Sequence, residues 1–183
     1  MDHDTGFAPH VSRGMCVLCG CKTTTVERWA QPGSWIIGIG GNRTGKRDSL
    51  VYALKVESTP SLGELRRKSP GLAAHLADWA PSSRVLVSRH FYYLGNNALP
   101  LPRSLQQLVV RTWGCKKVDG DAVARLVEYL THCFGPGVYG TPNNSPDGVS
   151  RKCGCGRANK RLKLTGGKRA SELRGSRPEN MKN

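Results

Sequence analysis

The chain has no run approaching the ~18 apolar residues that a helix needs to span a bilayer, which excludes a membrane helix. Its opening residues, Met1-Asp2-His3-Asp4, lack the basic and apolar regions of a signal peptide. The expected location is therefore the cytoplasm, with no membrane partner. A G-x-x-x-x-G-K-[ST] phosphate loop is missing too: Gly45-Lys46 is followed by Arg47, which rules out a nucleoside triphosphatase of that class. No internal repeat is visible. Acidic residues are scarce, 13 Asp and Glu against 28 Lys and Arg, and the net charge is +15. Cysteine is not scarce, but the count of seven is odd. Without a secretion signal, that opposes a disulfide framework and favours thiols or metal ligands.

What is present fits a globular domain. Hydrophobic residues make up 38% and charged residues 22%, too apolar for a wholly disordered chain. A length of 183 residues suits one domain, residues 1–144, followed by a disordered tail over residues 145–183 that is rich in Gly, Asn, Pro, Lys and Arg. The charge is uneven. Residues 151–183 hold 11 Lys and Arg against 2 Asp and Glu, a net of +9, which leaves 17 against 11 and +6 for residues 1–150. Such a distribution suits a polyanion, most simply nucleic acid. It equally suits a tail that only solubilises.

Hydrophobic periodicity sets the expected elements. Asp4 to Lys22 carries Gly6, Pro9, Gly14 and Gly20 and is expected to be mostly turn and irregular chain. Trp35-Ile36-Ile37 marks a buried strand over residues 34–39, and Leu50 to Val56 a second, antiparallel to the first. Ser61 with Glu64 has capping-box spacing and opens a short helix that Pro70-Gly71 should end, with another helical turn or two over Leu72 to Trp79. Arg84 to Ser88 and Phe91 to Leu94 read as strands around a kink at Arg89-His90. Ser104 to Val110 is a short helix. Asp121 to Cys133 is the clearest helix, with Val123, Leu126, Val127 and Leu130 at helical spacing and Gly135-Pro136 to stop it.

Four short motifs carry the chemistry, each with a functional and a purely structural reading. Asp4-Thr5-Gly6-Phe7-Ala8-Pro9 offers a backbone cradle with one aromatic wall, and Asp4 suits the amino edge of a base or general-base work. The same residues also make an Asx turn before a proline-stopped loop. Cys16-x-x-Cys19 has zinc-chelating spacing, with Cys21 close by and Cys153 and Cys155 far along the chain. Unpaired cysteines also serve as small buried hydrophobes, and no metal is assigned. Cys21 beside Lys22 is a conceivable nucleophile. The glycines of Gly38-Ile39-Gly40-Gly41 let the backbone approach a ligand or turn sharply at a strand end. Finally, Ser88-Arg89-His90-Phe91-Tyr92-Tyr93 combines a cation with aromatics. Strand alternation puts Phe91 and Tyr93 on one face and Tyr92 on the other, suited either to base stacking with a phosphate on Arg89 or to an aromatic core strand.

Taken in order, these motifs resemble the second of the nucleotide modification associated domain families, known from phage and bacterial genomes. That pattern runs D-x-G-F-A-P-N, C-T-L-A-x-C-K-P, G-D-W-h-h-G-x-G, L-h-Y-A-h-x-V and h-h-S-x-x-F-x-Y-F-G, with h apolar. Here it is met by Asp4, Gly6, Phe7, Ala8 and Pro9, by Cys16, Leu18, Cys21 and Lys22, and by Gly33, Trp35, Gly38 and Gly40. Leu50, Tyr52, Ala53 and Val56 follow, then Ser88, Phe91, Tyr93 and Gly95, so that the likeness covers about residues 4–140. His10, Thr23 and Ser34 stand where the pattern has asparagine, proline and aspartate. An apolar strand usually precedes the first motif, and Met1-Asp2-His3 leaves no place for it, so the resemblance implies a missing N-terminal strand.

The resemblance implies an α+β fold, with a small curved and mostly antiparallel sheet and flanking helices, comparable at fold level with base-reading barrels of the PUA or EVE kind. It implies a domain that recognises or processes a modified nucleobase, with DNA or a modified nucleotide as partner. Asp4 would read or deprotonate the base, Phe91 or Tyr93 would stack on it, and Lys22 and Arg89 would meet phosphate, with Gly6, Phe7 and Ser88 shaping the cleft. A catalytic version gives the work to Asp4 or Cys21. The residues name no cofactor. The contrasting expectation is a non-catalytic structural or interaction protein held to nucleic acid by charge alone.

Overall fold

The computed structural model describes residues 9–19, 29–41, 44–76, 79–111 and 114–142. Two antiparallel ladders begin it, built on opposite principles. Strands β1 (His10–Ser12) and β2 (Met15–Cys19) meet across Arg13 and Gly14, whose φ values of 51° and 70° are both positive. Two such residues make the primed turn whose twist matches a hairpin, and Ser12 accordingly pairs with Met15. The expectation of mostly irregular chain is thus corrected for residues 10–19. Glycine at position 14 serves a strand reversal there, not a loop. Strand β2 lies between β1 and β5 (Val85–Ser88), and it is apolar on both faces because Val17 and Cys19 pack under helical residues while Cys16 packs toward the second sheet.

The second sheet follows the order β3 (Trp35–Ile39), β4 (Ser49–Lys55), β6 (Phe91–Tyr93) and β8 (Gly137–Val138). The short β7 (Leu99–Pro100) pairs with the start of β4. Strands β3 and β4 are antiparallel, as their spacing predicts. Their register shifts between Gly38, opposite Tyr52, and Ile39, opposite Leu50, so Val51 is an extra residue in β4. A bulge reverses side-chain parity along a strand. Leu50 and Ala53 therefore join one core while Val51, Tyr52 and Leu54 join another.

Helix α1 (Leu62–Lys68) carries the capping box that Ser61 and Glu64 foretell. Glu64 Nα donates to Ser61 Oγ at 3.2 Å, and Ser61 N donates back to Glu64 Oε2 at 2.8 Å. Hydrogen bonds from the Ser61 backbone and then its hydroxyl hold the Glu64 carboxyl below its ordinary value of 4.5. Pro70 does not simply end the helix; it stands at the first position of α2 (Pro70–Ala73), where its missing N–H costs nothing. A 3₁₀ turn over Ala74–Leu76 continues it. The segment expected as a helix at residues 104–110 is a 3₁₀ helix over Arg103–Leu108, and α3 (Gly120–Cys133) matches its periodicity.

A depressed carboxyl adds stability above its unfolded pKa and loses it as pH falls through the folded one. The stability gap between the protein and Glu64→Gln should be constant near neutrality and close on acidification below about pH 4.5. Thermal unfolding across a pH series measures it. Ser61→Ala should cost about 1 kcal/mol in the same assay at neutral pH.

Three buried clusters arrange these elements in layers. Val17, Cys19, Val85 and Val87 of the first sheet pack on Leu62, Leu65 and Leu72 of the helices α1 and α2. Cys16 and Leu86 from the first sheet share a cluster with Tyr52, Leu54, Phe91 and Tyr93 from the second. Ala53, Tyr92 and Leu94 face Ala122, Leu126 and Leu130 of α3. The fold is α+β with open sheets, and no sheet closes into a barrel among the described residues. Where a single curved sheet is expected, there are two. The strands before and after Arg89-His90 belong to different sheets, a choice of partner that local apolar pattern does not encode.

Candidate functional site

The chain passes from one sheet to the other at Arg89 and His90, and a single carboxylate fastens that corner. Glu57 Oε1 accepts from Arg89 N at 2.7 Å and from His90 N at 3.1 Å. Two consecutive N–H groups on one oxygen form a small anion cradle, and the ionised acceptor strengthens both bonds. Glu57 Oε2 lies 3.8 Å from the Arg89 guanidinium, whose side chain is 73% exposed. That solvent-screened pair contributes little by itself. The carbonyl of His90 accepts from Ser88 Oγ at 2.8 Å and from Lys55 N at 2.9 Å. The kink expected here is therefore a built corner, with both its N–H groups and the His90 carbonyl engaged.

Rings gather on the α3 side of the corner. His90 meets Trp35 edge to face, with centroids 5.3 Å apart and planes at 81°. Trp35 stacks on Tyr92 at 6.4 Å and 24°, and Tyr92 tilts against His90 at 5.9 Å. The Tyr92 hydroxyl shares a hydrogen bond with Thr131 of α3 at 3.1 Å, which fixes that ring from behind. Among the described residues, His90 Nε2 is the buried side-chain polar atom without a hydrogen-bond partner.

The turn leading into β3 lies alongside. Ser34 Oγ accepts from Gln31 N at 3.2 Å and donates to the Trp29 carbonyl at 3.4 Å. A serine hydroxyl thus closes the turn where the motif has aspartate. Gly33 N donates to Val56 O, and Val56 N to Ser34 O, both at 2.8 Å. The turn is thereby tied to the residue preceding Glu57. Trp29 is 40% exposed, and Lys55, the cross-strand partner of Trp35, is exposed as well.

Of the residues expected to form the site, Ser88, Arg89, Phe91 and Tyr93 fall within the described residues. Asp4, Gly6, Phe7, Cys21 and Lys22 lie outside them, as do residues 145–183 of the expected tail. Ser88 is fully buried and shapes the corner through its bond to His90. Arg89 is at the surface. Phe91 and Tyr93, each 3% exposed, do share a face, and that face belongs to the core between the sheets. Tyr92 takes the opposite face, as alternation predicts. Glu57, Trp35, His90 and Lys55 were not named as site residues; Glu57 and Lys55 carry no motif signal, whereas Trp35 lies inside the G-x-W pattern and His90 inside the Ser88 to Tyr93 motif.

Cysteine spacing turns out to describe a strand. Cys16 and Cys19 lie on opposite faces of β2, one in the core between the sheets and the other beneath the helices. Two thiols so placed do not share a metal. Burial also drives the Cys16 thiol far above its ordinary value of 9.0, which opposes the thiolate that zinc requires. Among the described residues, no group of three or more His, Cys, Asp or Glu could hold a metal ion. The glycines of the third motif serve the chain's own packing. A Cβ on Gly38 would strike the Tyr52 ring, and one on Gly40 would strike the Lys46 carbonyl. A separate cleft of about 390 Å³ is lined by Gln106, Arg111, Cys115 and Lys116 among others, with no carboxylate. The Lys116 ammonium there is engaged by the carbonyls of Gln107 and Val109. No described helix is long and apolar enough to cross a membrane.

A family model described as nucleotide modification associated domain 2 matches the chain over residues 1–79 and 66–147. No curated protein and no solved structure matches it.

Proposed function

The chain belongs to the nucleotide modification associated domain 2 family, and on that footing we propose that it recognises or processes a modified nucleobase in DNA. The observation that carries this reading is the corner at Arg89 and His90, which falls inside the family match. It brings a surface guanidinium, a carboxylate, three aromatic rings and an unmatched imidazole nitrogen together. Aromatic faces beside a cation suit base stacking with phosphate pairing.

In this reading Asp4 to Pro9 and Cys16 to Lys22 complete the cleft with Ser88 to Tyr93. Asp4 reads or deprotonates the base, Lys22 and Arg89 meet phosphate, and Cys21 or Asp4 is the working group if transfer to the base occurs. Phe91 or Tyr93 stacks only by turning out of the core. Trp35, half-buried and in ring contact with His90, already presents ring surface at the corner and takes the stacking role more readily. The net charge of +15 supplies general attraction to the polyanion, which salt should weaken steeply.

Binding of duplexes with and without a modified base, to the protein and to Asp4→Ala and Arg89→Ala, tests the reading. Asp4→Ala should lose preference for the modified base, and Arg89→Ala should lose affinity about uniformly. Folded variants with unchanged affinity and preference would remove the cleft. Mass spectrometry of modified nucleosides incubated with the protein separates processing from recognition.

A further inference from the structure

His90 is held more firmly than a packing residue needs. Its N–H is taken by Glu57 and its carbonyl by Ser88 and Lys55, so the backbone is fixed on three sides. Its ring is boxed by Trp35 and Tyr92. A phenylalanine would suit that box without burying a nitrogen. Yet Nε2 sits there with no partner, and a buried polar atom left unmatched disfavours the folded state. Positions that break a packing rule in this way are commonly functional ones.

The geometry points to His90 as the base-reading residue of this site, its Nε2 exchanging a hydrogen bond with the polar edge of a bound nucleobase; this rests on the nucleobase reading above. Nε2 of a neutral imidazole donates or accepts according to tautomer, and both capacities have counterparts on base edges. The Trp35 ring stands beside it as a stacking surface. Nε2 is solvent-inaccessible, so contact requires a neighbouring ring to move. Trp35 is the ring best placed to do so: it is half-buried, and among the described strands β3 pairs with β4 alone.

Short duplexes carrying a hydroxymethylated pyrimidine, a methylated adenine or plain bases serve as probes, with thermal unfolding measured in parallel. His90→Phe should keep or raise the melting temperature while losing about tenfold or more of the modified-base preference. His90→Leu provides the same test if the larger ring does not fit. His90→Gln places an amide near the position of Nε2 and should restore part of the preference. If all three variants fold and discriminate like the parent, the assignment to His90 falls while the nucleobase reading stands. If all three lose stability and preference together, His90 is a packing residue and the assignment falls. If the parent protein itself does not distinguish modified from plain duplexes, the nucleobase reading fails and takes this assignment with it.

Discussion

Gly95→Ala should lower stability by roughly 3 kcal/mol or more, which raises the unfolded population about a hundredfold against a total of ~5–15 kcal/mol. Two costs combine. Gly95 has φ +52°, where a Cβ costs about 1–2 kcal/mol. That Cβ would also run into the carbonyl of Thr141, which accepts the Asn96 N–H at 2.7 Å. Backbone stands on both sides, so neither group yields as a side chain would. The contact is reciprocal, since a Cβ on Gly140 would meet the Leu94 carbonyl. Gly45→Ala separates the two costs: its φ is +67°, with nothing within 4 Å of the added carbon. That control should lose only the conformational part. Urea unfolding of both variants measures the difference.

The second large effect is expected at Leu126. Helix α3 buries Ala122, Leu126 and Leu130 against the sheet, and Leu126 is fully buried between the other two. Leu126→Ala should cost about 2–5 kcal/mol, through lost apolar contact and the cavity left behind. The surface change Arg125→Ala, on the same turn, should stay within about 0.5 kcal/mol. Leu126→Ala has a second signature. Thr131 of the same helix holds the Tyr92 hydroxyl, and Tyr92 stacks on Trp35. A helix loosened from the sheet should therefore weaken the near-ultraviolet dichroism of those rings before helicity is lost.

Elements whose signal is local were legible in the sequence. Val123, Leu126 and Leu130 marked α3 by period, and Ser61 with Glu64 marked the start of α1 by a bond between neighbours in the chain. The opposite faces of Phe91 and Tyr92 followed from strand geometry alone. Contacts between distant residues were not legible. Glu57 reaches Arg89 across 32 positions, and nothing around it distinguishes it from a solvent-facing glutamate. The first hairpin escaped because Arg13 occupies a positive-φ position usually given to Asn, Asp or Gly. The division into two sheets escaped for a related reason: an apolar strand fits either neighbour equally well, and only packing decides. Gly38 and Gly40 misled in the other direction, since close approach was read correctly but the approaching group is the chain itself.

Arg89 and His90 are the link through which the two sheets are covalently joined between β5 and β6, and Glu57 rivets that link to the end of β4. Any slippage of one layer over the other must be absorbed by the torsions of this dipeptide. The imidazole would then register strain arising in the core beneath the helices. Substitutions of Val85 beneath the helices should thus retune the corner without altering a single group within it.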